Sequence, residues 1–257
     1  MSTTDEVRVR GELPLWEVSG WRERFGVRAG ITGRGDDPEK PFDLGLWTAS
    51  PVSAVMSRWR QFRAAFPEFP GSVMAHQVHG QRVLWHRGGE GWTIHDGVDG
   101  HATAATGLLL LVTVADCVPI YLAAPSHGVV ALLHAGWRGT AGGILGEGLE
   151  TIRREAGIQP TDLVMHLGVS ICGSCYQVGA EVARGVGGTP VGEGPWYVDL
   201  RDVLAEQARQ LGVGEISRSS HCTACSHRQF FSHRASGAGA GRLVAYLGMP
   251  GTLGGEA

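Results

Sequence analysis

The sequence predicts a mixed α/β fold, on three observations. Leu108–Val114 is an unbroken run of apolar and β-branched residues, as a strand buried on both faces requires. Downstream, Leu145, Leu149 and Ile152 recur at i, i+4 and i+7 with charges between them, the spacing of an amphipathic helix. Strand-like and helix-like segments then alternate toward the C-terminal end, with no internal repeat and no low-complexity linker. At 257 residues and 43% hydrophobic content the chain can bury a substantial core.

Residues 1–50 read as short strands and turns, VRVRGEL and WRERFGVRAGIT, with a loop at GRGDDPEKP. Ser53–Phe66 reads as a helix ended by Pro67 and Pro70. Strands are expected around Ser72–Val78 and Arg82–His86, followed by a Gly-rich surface stretch over Gly88–Gly100. After Leu108–Val114, two further strands are expected at Val118–Ala123 and Val129–His134, and then the helix carrying Leu145. Leu163–Val169 is again strand-like. Asp199 is placed to cap a helix that carries Leu200, Val203, Leu204 and Leu211 on one face. Beyond His221 lie a Cys/His cluster and a last strand, Leu243–Leu247. Periodicity does not give the strand order.

The bulk numbers exclude several classes. A net charge of −3 and a pI near 6.4 give no basic excess for nucleic acid or an anionic membrane. The longest apolar run, Gly107–Ala115, falls far short of the ~20 residues that span a bilayer. The first residues, MSTTDEVRVR, are polar and do not read as a signal peptide. Five cysteines cannot all pair as disulfides, which favours thiol or metal chemistry in a reducing compartment. The expected location is the cytoplasm.

Three segments carry candidate chemistry. His-Gln-Val-His-Gly (76–80) puts His79 before a glycine in an expected turn. Val-Ala-Asp-Cys-Val-Pro (114–119) puts Asp116 and Cys117 at the end of a buried strand, and His-Ala-Gly-Trp-Arg-Gly (134–139) puts His134 at the end of the next. Two imidazoles and a thiolate can hold zinc tetrahedrally with one position left for water or substrate. Spacing alone does not separate this from a buried cysteine beside two hydrogen-bonded histidines. Nor does it exclude a Cys117 nucleophile served by His134 or His79 as base.

QVHG (77–80), ADCVPIYL (115–122), HAGWRGT (134–140), ICGSCYQVG (171–179) and CTACSHRQFFSHR (222–234) together resemble the laccase-domain family. This family is also called polyphenol oxidase-type or peptidoglycan editing factor, and it contains purine nucleoside phosphorylases. The motifs occur in family order, so the resemblance treats residues 1–257 as a single catalytic domain with its core over about 30–247. It implies a four-layer α/β/β/α arrangement of mixed sheets and a zinc ion on His79, Cys117 and His134. Copper is a second ion that such a donor set accepts in vitro. The implied reaction is phosphorolysis of adenosine, inosine or methylthioadenosine, with adenosine deamination beside it. The partners are thus a purine nucleoside and phosphate, with a homodimer as the implied assembly.

Arginine forks suit phosphate, and Arg138, Arg58 and Arg34 lie in or beside family-like segments; Gln77 is a further substrate-binding candidate. Asp116 is read either as orienting a ligand or shuttling a proton, or as a turn residue bonded to backbone. The chain departs from the family pattern at Gly35-Asp36, Phe42-Asp43-Leu44-Gly45, Ser57-Arg58 and Val114. Substrate contacts from residues 30–60 are where it should differ most.

Rival readings rest on other residues. Cys172-x-x-Cys175 and Cys222-x-x-Cys225 would serve a structural zinc site or a labile disulfide. A His₂Cys set also suits copper, but no His-x-His occurs among the 11 histidines, against a copper phenol oxidase. A hydrolase of cell-wall precursors is the remaining alternative. His95, His101 and His127 are read as solvent-exposed loop residues, and His76 is left out of the site because it should face away from His79. His233 and Arg234 are read equally as cleft-lining or packing residues, and Trp137 as a packing residue able to stack on a base.

Overall fold

The computed structural model describes residues 1–251. It opens with β1 (Ser2–Thr3), β2 (Glu6–Arg8), β3 (Leu15–Val18), the short helix α1 (Trp21–Phe25) and β4 (Arg28–Thr32). Helix α2 (Val52–Ala64) leads into β5 (Gly71–His76), β6 (Val83–His86), β7 (Gly91–Asp96) and β8 (Gly100–Thr103). The central strands are β9 (Leu108–Val114), β10 (Val118–Ala124) and β11 (Val129–Ala135), followed by α3 (Trp137–Gly142) and α4 (Ile144–Ala156). The remainder holds β12 (Val164–Leu167), β13 (Gln177–Val178), α5 (Ala180–Gly185), β14 (Trp196–Tyr197), α6 (Leu200–Gln210), β15 (Glu215–Arg218), α7 (His233–Ser236) and β16 (Leu243–Gly248).

Two seven-stranded sheets dominate, one ordered β1-β15-β12-β10-β11-β8-β6 and the other β2-β3-β4-β16-β9-β5-β7. Both mix parallel and antiparallel pairs. Side-chain alternation along the strands explains their stacking. From β9, Leu110, Val112 and Val114 join Tyr121, Ala123, Val130 and Leu132 of the other sheet in an inter-sheet core. Leu109 and Leu111 point the other way, into a cluster with Val55, Trp59 and Phe62 of α2. On the far side, Ile120 and Leu122 pack with Leu145, Leu149 and Ile152 of α4 and Leu204 of α6. The layers are therefore α/β/β/α, and β9 is apolar at every position but Thr113 because both its faces are covered.

The long elements form as the periodicity predicts, except that Leu211, expected on the apolar face of α6, lies just past its end and is exposed. Asp199 caps α6 by accepting from the Arg201 backbone N–H at 3.0 Å. Local punctuation decides where the reading fails. WRERF, expected as strand and turn, is helix α1, bounded by left-handed Gly20 and Gly26. The expected surface stretch Gly88–Gly100 contains the edge strand β7, which holds His95. His101, expected in a solvent-exposed loop, lies in β8 with no exposure, 2.9 Å from His86. Among the described residues no helix is long and apolar enough to cross a membrane.

One buried carboxylate ties the two sheets together. Glu6 of β2 accepts from Val169 N–H at 3.1 Å and Ser219 Oγ at 2.6 Å, and it faces His166 Nε2 of the other sheet at 3.1 Å. Burial opposes its ionisation, but the His166 and Ser219 bonds outweigh that and hold the carboxyl below its usual range. A lowered carboxylate contributes stability that is present above its unfolded pKa, about 4.3, and is lost as pH falls through the native value. Glu6→Gln should therefore be less stable at pH 7 and show a flatter acid limb in stability-versus-pH melts. A parallel limb in wild type and variant would remove Glu6 from the account.

Candidate metal centre

The centre is assembled where β5, β9 and β11 end. After β5 the chain turns at Val78, His79 and Gly80, whose N–H groups donate to the Asp99 carboxylate at 3.2, 2.9 and 2.7 Å. This clamp holds His79 at φ 60°, a left-handed conformation that costs a non-glycine residue about 1–2 kcal/mol. Asp99 lies just before β8, where Gly100 pairs with Leu133 of β11, so its side chain reaches His134. The His134 Nδ1 atom lies 2.9 Å from Asp99 Oδ1, and neither side chain is more than 3% exposed. With Nδ1–H donated to the carboxylate, Nε2 is left as a ligand atom, the arrangement that orients metal-binding histidines.

Cys117 arrives from the crossover between β9 and β10, which carries the chain from one sheet to the other. Its Sγ lies 3.9 Å from His79 Nε2, and the His79 and His134 rings cross at 77° with centroids 4.8 Å apart. One donor atom from each of His79, Cys117 and His134 falls within 4.8 Å of the others. Gly136 makes room for this, since a Cβ there would sit 2.9 Å from His79 Cδ2 and 3.1 Å from Cys117 Sγ. Burial opposes charge on both Cys117 and His134, yet each stabilises the other's charged form. The facing imidazoles pull the thiol down to about 6, and the thiolate with Asp99 pushes His134 up to about 9. A thiolate of this kind serves equally as a soft metal ligand and as a nucleophile.

Asp116, at φ 94°, spends both carboxylate oxygens on the protein. Oδ1 accepts from Thr223 Oγ1 at 2.5 Å and Oδ2 from the Arg234 N–H at 2.7 Å. It thereby fastens the 222–234 segment against the Cys117 turn.

The three donors line a cavity of about 390 Å³. Trp47, Thr48, Tyr176, Arg234 and Arg242 form other parts of its wall, and Gln77 and Asp116 also line it. Gln77 is committed to Thr113, accepting from its N–H at 2.7 Å and donating to its carbonyl at 2.9 Å. His76 faces the same space, contrary to the expectation that it points away, with its ring 4.8 Å from Trp47. His233 lines the wall as well.

None of the arginines expected to bind substrate lines this cavity. Arg58 donates to the Asp43 carbonyl at 2.6 Å, and Arg34 donates to the His227 carbonyl at 3.3 Å. Exposed Arg138 stacks on Trp137 at 4.6 Å, and neither residue of that pair lines the cavity. Arg58 acts instead as a strut beneath the 43–50 loop. There buried Asp43 accepts from Gly45 N–H at 2.8 Å, Ser50 Oγ at 2.6 Å and Arg242 N–H at 2.7 Å. Sequence reading missed Asp99, Trp47 and Arg242, whose segments carry no local metal or phosphate motif, and Tyr176, which follows Cys175 within a family-like segment.

Comparison with known proteins agrees with this architecture. Residues 24–250 match the family model described as multi-copper polyphenol oxidoreductase laccase. The chain is 36% identical over 258 residues to purine nucleoside phosphorylase YlmD of Geobacillus stearothermophilus, covering 91% of this chain and 94% of that one. It is also 36% identical over 162 residues to adenosine deaminase RL5 of an unknown prokaryotic organism, covering 57% of this chain and 60% of that one. The crystal structure of the Geobacillus YlmD superposes with a TM-score of 0.84 at 30% identity, covering 95% of this chain and 98% of its own.

Proposed function

The chain belongs to the multi-copper polyphenol oxidoreductase laccase family, and from that premise we propose that it is a zinc-dependent purine nucleoside phosphorylase. Its substrates are adenosine, inosine or methylthioadenosine, and adenosine deamination accompanies phosphorolysis. The observation that carries the reading is the convergence of His79, Cys117 and His134 on a cavity walled by aromatic and cationic side chains. The donor set fits zinc: two nitrogens and a thiolate, one imidazole already oriented by a buried carboxylate. Zinc bound there would supply Lewis acidity and an acidified water at an open fourth position.

The remaining work falls to side chains of the cavity. Trp47 and Tyr176 offer faces against which a purine can stack. Phosphorolysis joins a phosphate oxygen to the anomeric carbon as the bond to the base breaks, and the leaving base takes up a proton. Arg234 and Arg242 are the guanidinium groups on the wall and suit the phosphate. His76 and His233 are the imidazoles there beyond the donor set, placed to return a proton to the base.

The decisive assay follows adenine, inosine and hypoxanthine from adenosine with and without phosphate. Phosphate-dependent base release supports the reading, and no turnover of any purine nucleoside removes it. A narrower test concerns the arginines. Arg242→Ala should raise the KM for phosphate by about 10–100-fold, the worth of a charged hydrogen bond, with a smaller effect on nucleoside KM. Arg138→Ala should leave both near wild type. The reverse pattern would return the phosphate site to Arg138.

A second reading rests on the Cys117–His134 pair, whose ionisation also suits a cysteine hydrolase. Such an enzyme would keep its activity after chelation, whereas the zinc reading requires its loss.

A further inference from the structure

The other four cysteines also converge. Cys172 and Cys175 follow β12, and Cys222 and Cys225 follow β15. These two strands are parallel neighbours, extended by a bridge between Ser170 and Cys222, so both Cys-x-x-Cys turns leave the sheet at the same end. The long sequence gap between the pairs therefore closes in space. All four thiols are free, and their sulfurs lie within 4.8 Å of one another. Cys225 Sγ is 3.4 Å from Cys175 Sγ and 3.9 Å from Cys172 Sγ.

We propose that Cys172, Cys175, Cys222 and Cys225 bind a single zinc ion as a structural tetrathiolate, separate from the His79/Cys117/His134 centre. Zinc–sulfur bonds of about 2.3 Å in a tetrahedron put the sulfurs about 3.8 Å apart, and the two measured separations bracket that length. An iron–sulfur cluster distributes its cysteines over several irons and needs them farther apart. The backbone is arranged for thiolates: the N–H groups of Cys172 and Cys225 point at Cys222 Sγ, at 3.2 and 3.4 Å. Each pair is closed by a tight turn, Cys175 N–H to the Cys172 carbonyl at 3.0 Å and Ser226 N–H to the Cys222 carbonyl at 2.9 Å. Zinc uptake releases the thiol protons and leaves a complex of net charge −2. The Arg234 guanidinium, on the Cys175 carbonyl at 3.4 Å, lies beside that charge.

The place of the site gives it a purpose. Tyr176 follows Cys175 directly and lines the cavity. Thr223 follows Cys222 and holds Asp116, whose other oxygen accepts from Arg234. One ion would fasten both segments and so fix a wall of the cavity.

The test is a zinc count with thiol titration on the full chain. Wild type should hold two zinc ions per chain, and Cys117→Ala should keep one. That one should be released as a mercurial reagent consumes four thiols. Cobalt exchanged into Cys117→Ala should show the sulfur-to-metal charge-transfer bands of a tetrathiolate. Adding Cys175→Ser and Cys225→Ser should abolish those bands. Zinc absent from Cys117→Ala after reconstitution, or a disulfide among the four cysteines in the zinc-saturated wild type, would overturn the proposal. Neither result depends on nucleoside turnover, so this site and the proposed activity can fail separately.

Discussion

Cys117→Ala should lose one metal ion per chain and cut nucleoside turnover by about 10³-fold or more. The size follows from what the thiolate contributes. It is the anionic member of a three-donor set, and two imidazoles alone leave the ion under-coordinated and without charge neutralisation. Metal Lewis acidity contributes several kcal/mol of transition-state stabilisation, and roughly 4 kcal/mol corresponds to about 10³ in rate. Stability should change much less, because Cys117 is only half-buried and the truncation removes a single small side-chain atom. Zinc analysis beside kcat separates the cases. One metal ion and the activity should disappear together. A variant that keeps its zinc at full stoichiometry but loses turnover would identify Cys117 as a nucleophile. One that keeps both would remove it from the site.

Much of the fold is legible in the sequence because burial leaves a periodic record. Leu108–Val114 is apolar at every position but Thr113 because one face meets the inter-sheet core and the other meets α2. Leu145, Leu149 and Ile152 repeat because one face of α4 lies on a sheet. Elements too short to carry a period are the ones that escape: α1 has five residues, and the paired strands β13 and β14 have two each. Resemblance to a family points to His79, Cys117 and His134, and the fold brings their donor atoms together. The arginines lose their local cues once the chain is folded. Arg138 sits beside His134 in sequence, but the start of α3 turns it outward onto Trp137. Arg242 stands far from every motif except in space, where Asp43 holds its backbone against the 43–50 loop. A run of sequence reports burial, whereas a cavity wall is built from tertiary contacts that no local pattern encodes.

Asp99 is the extreme case of this hidden information, and Asp99→Asn should damage the centre more than any change outside the three donors. The carboxylate is fully buried and accepts from four groups: the Val78, His79 and Gly80 N–H and His134 Nδ1. Burial opposes its ionisation, and the bonds from His134 and the turn outweigh that and hold it below the usual carboxylate range. An asparagine of the same shape has one acceptor oxygen, so its amide must face donors on one side. If the amide meets Val78 and Gly80, the His79 turn loses the clamp that holds its left-handed backbone. If it meets His134, Nδ1 must become the acceptor, and the ring proton moves to Nε2, where the ligand lone pair is needed. Each buried donor left unmatched costs about 1–3 kcal/mol, and loss of such a supporting partner typically weakens metal binding about 10–100-fold. Urea melts should therefore show a destabilisation of about 2–4 kcal/mol, and competition titration a matching loss of zinc affinity. Asp96→Asn provides the control, because that carboxylate is 89% exposed and among the described residues pairs only with His76. Zinc affinity within twofold of wild type in Asp99→Asn would mean that the turn and His134 hold their positions without the carboxylate. The centre would then owe its geometry to the strand ends alone.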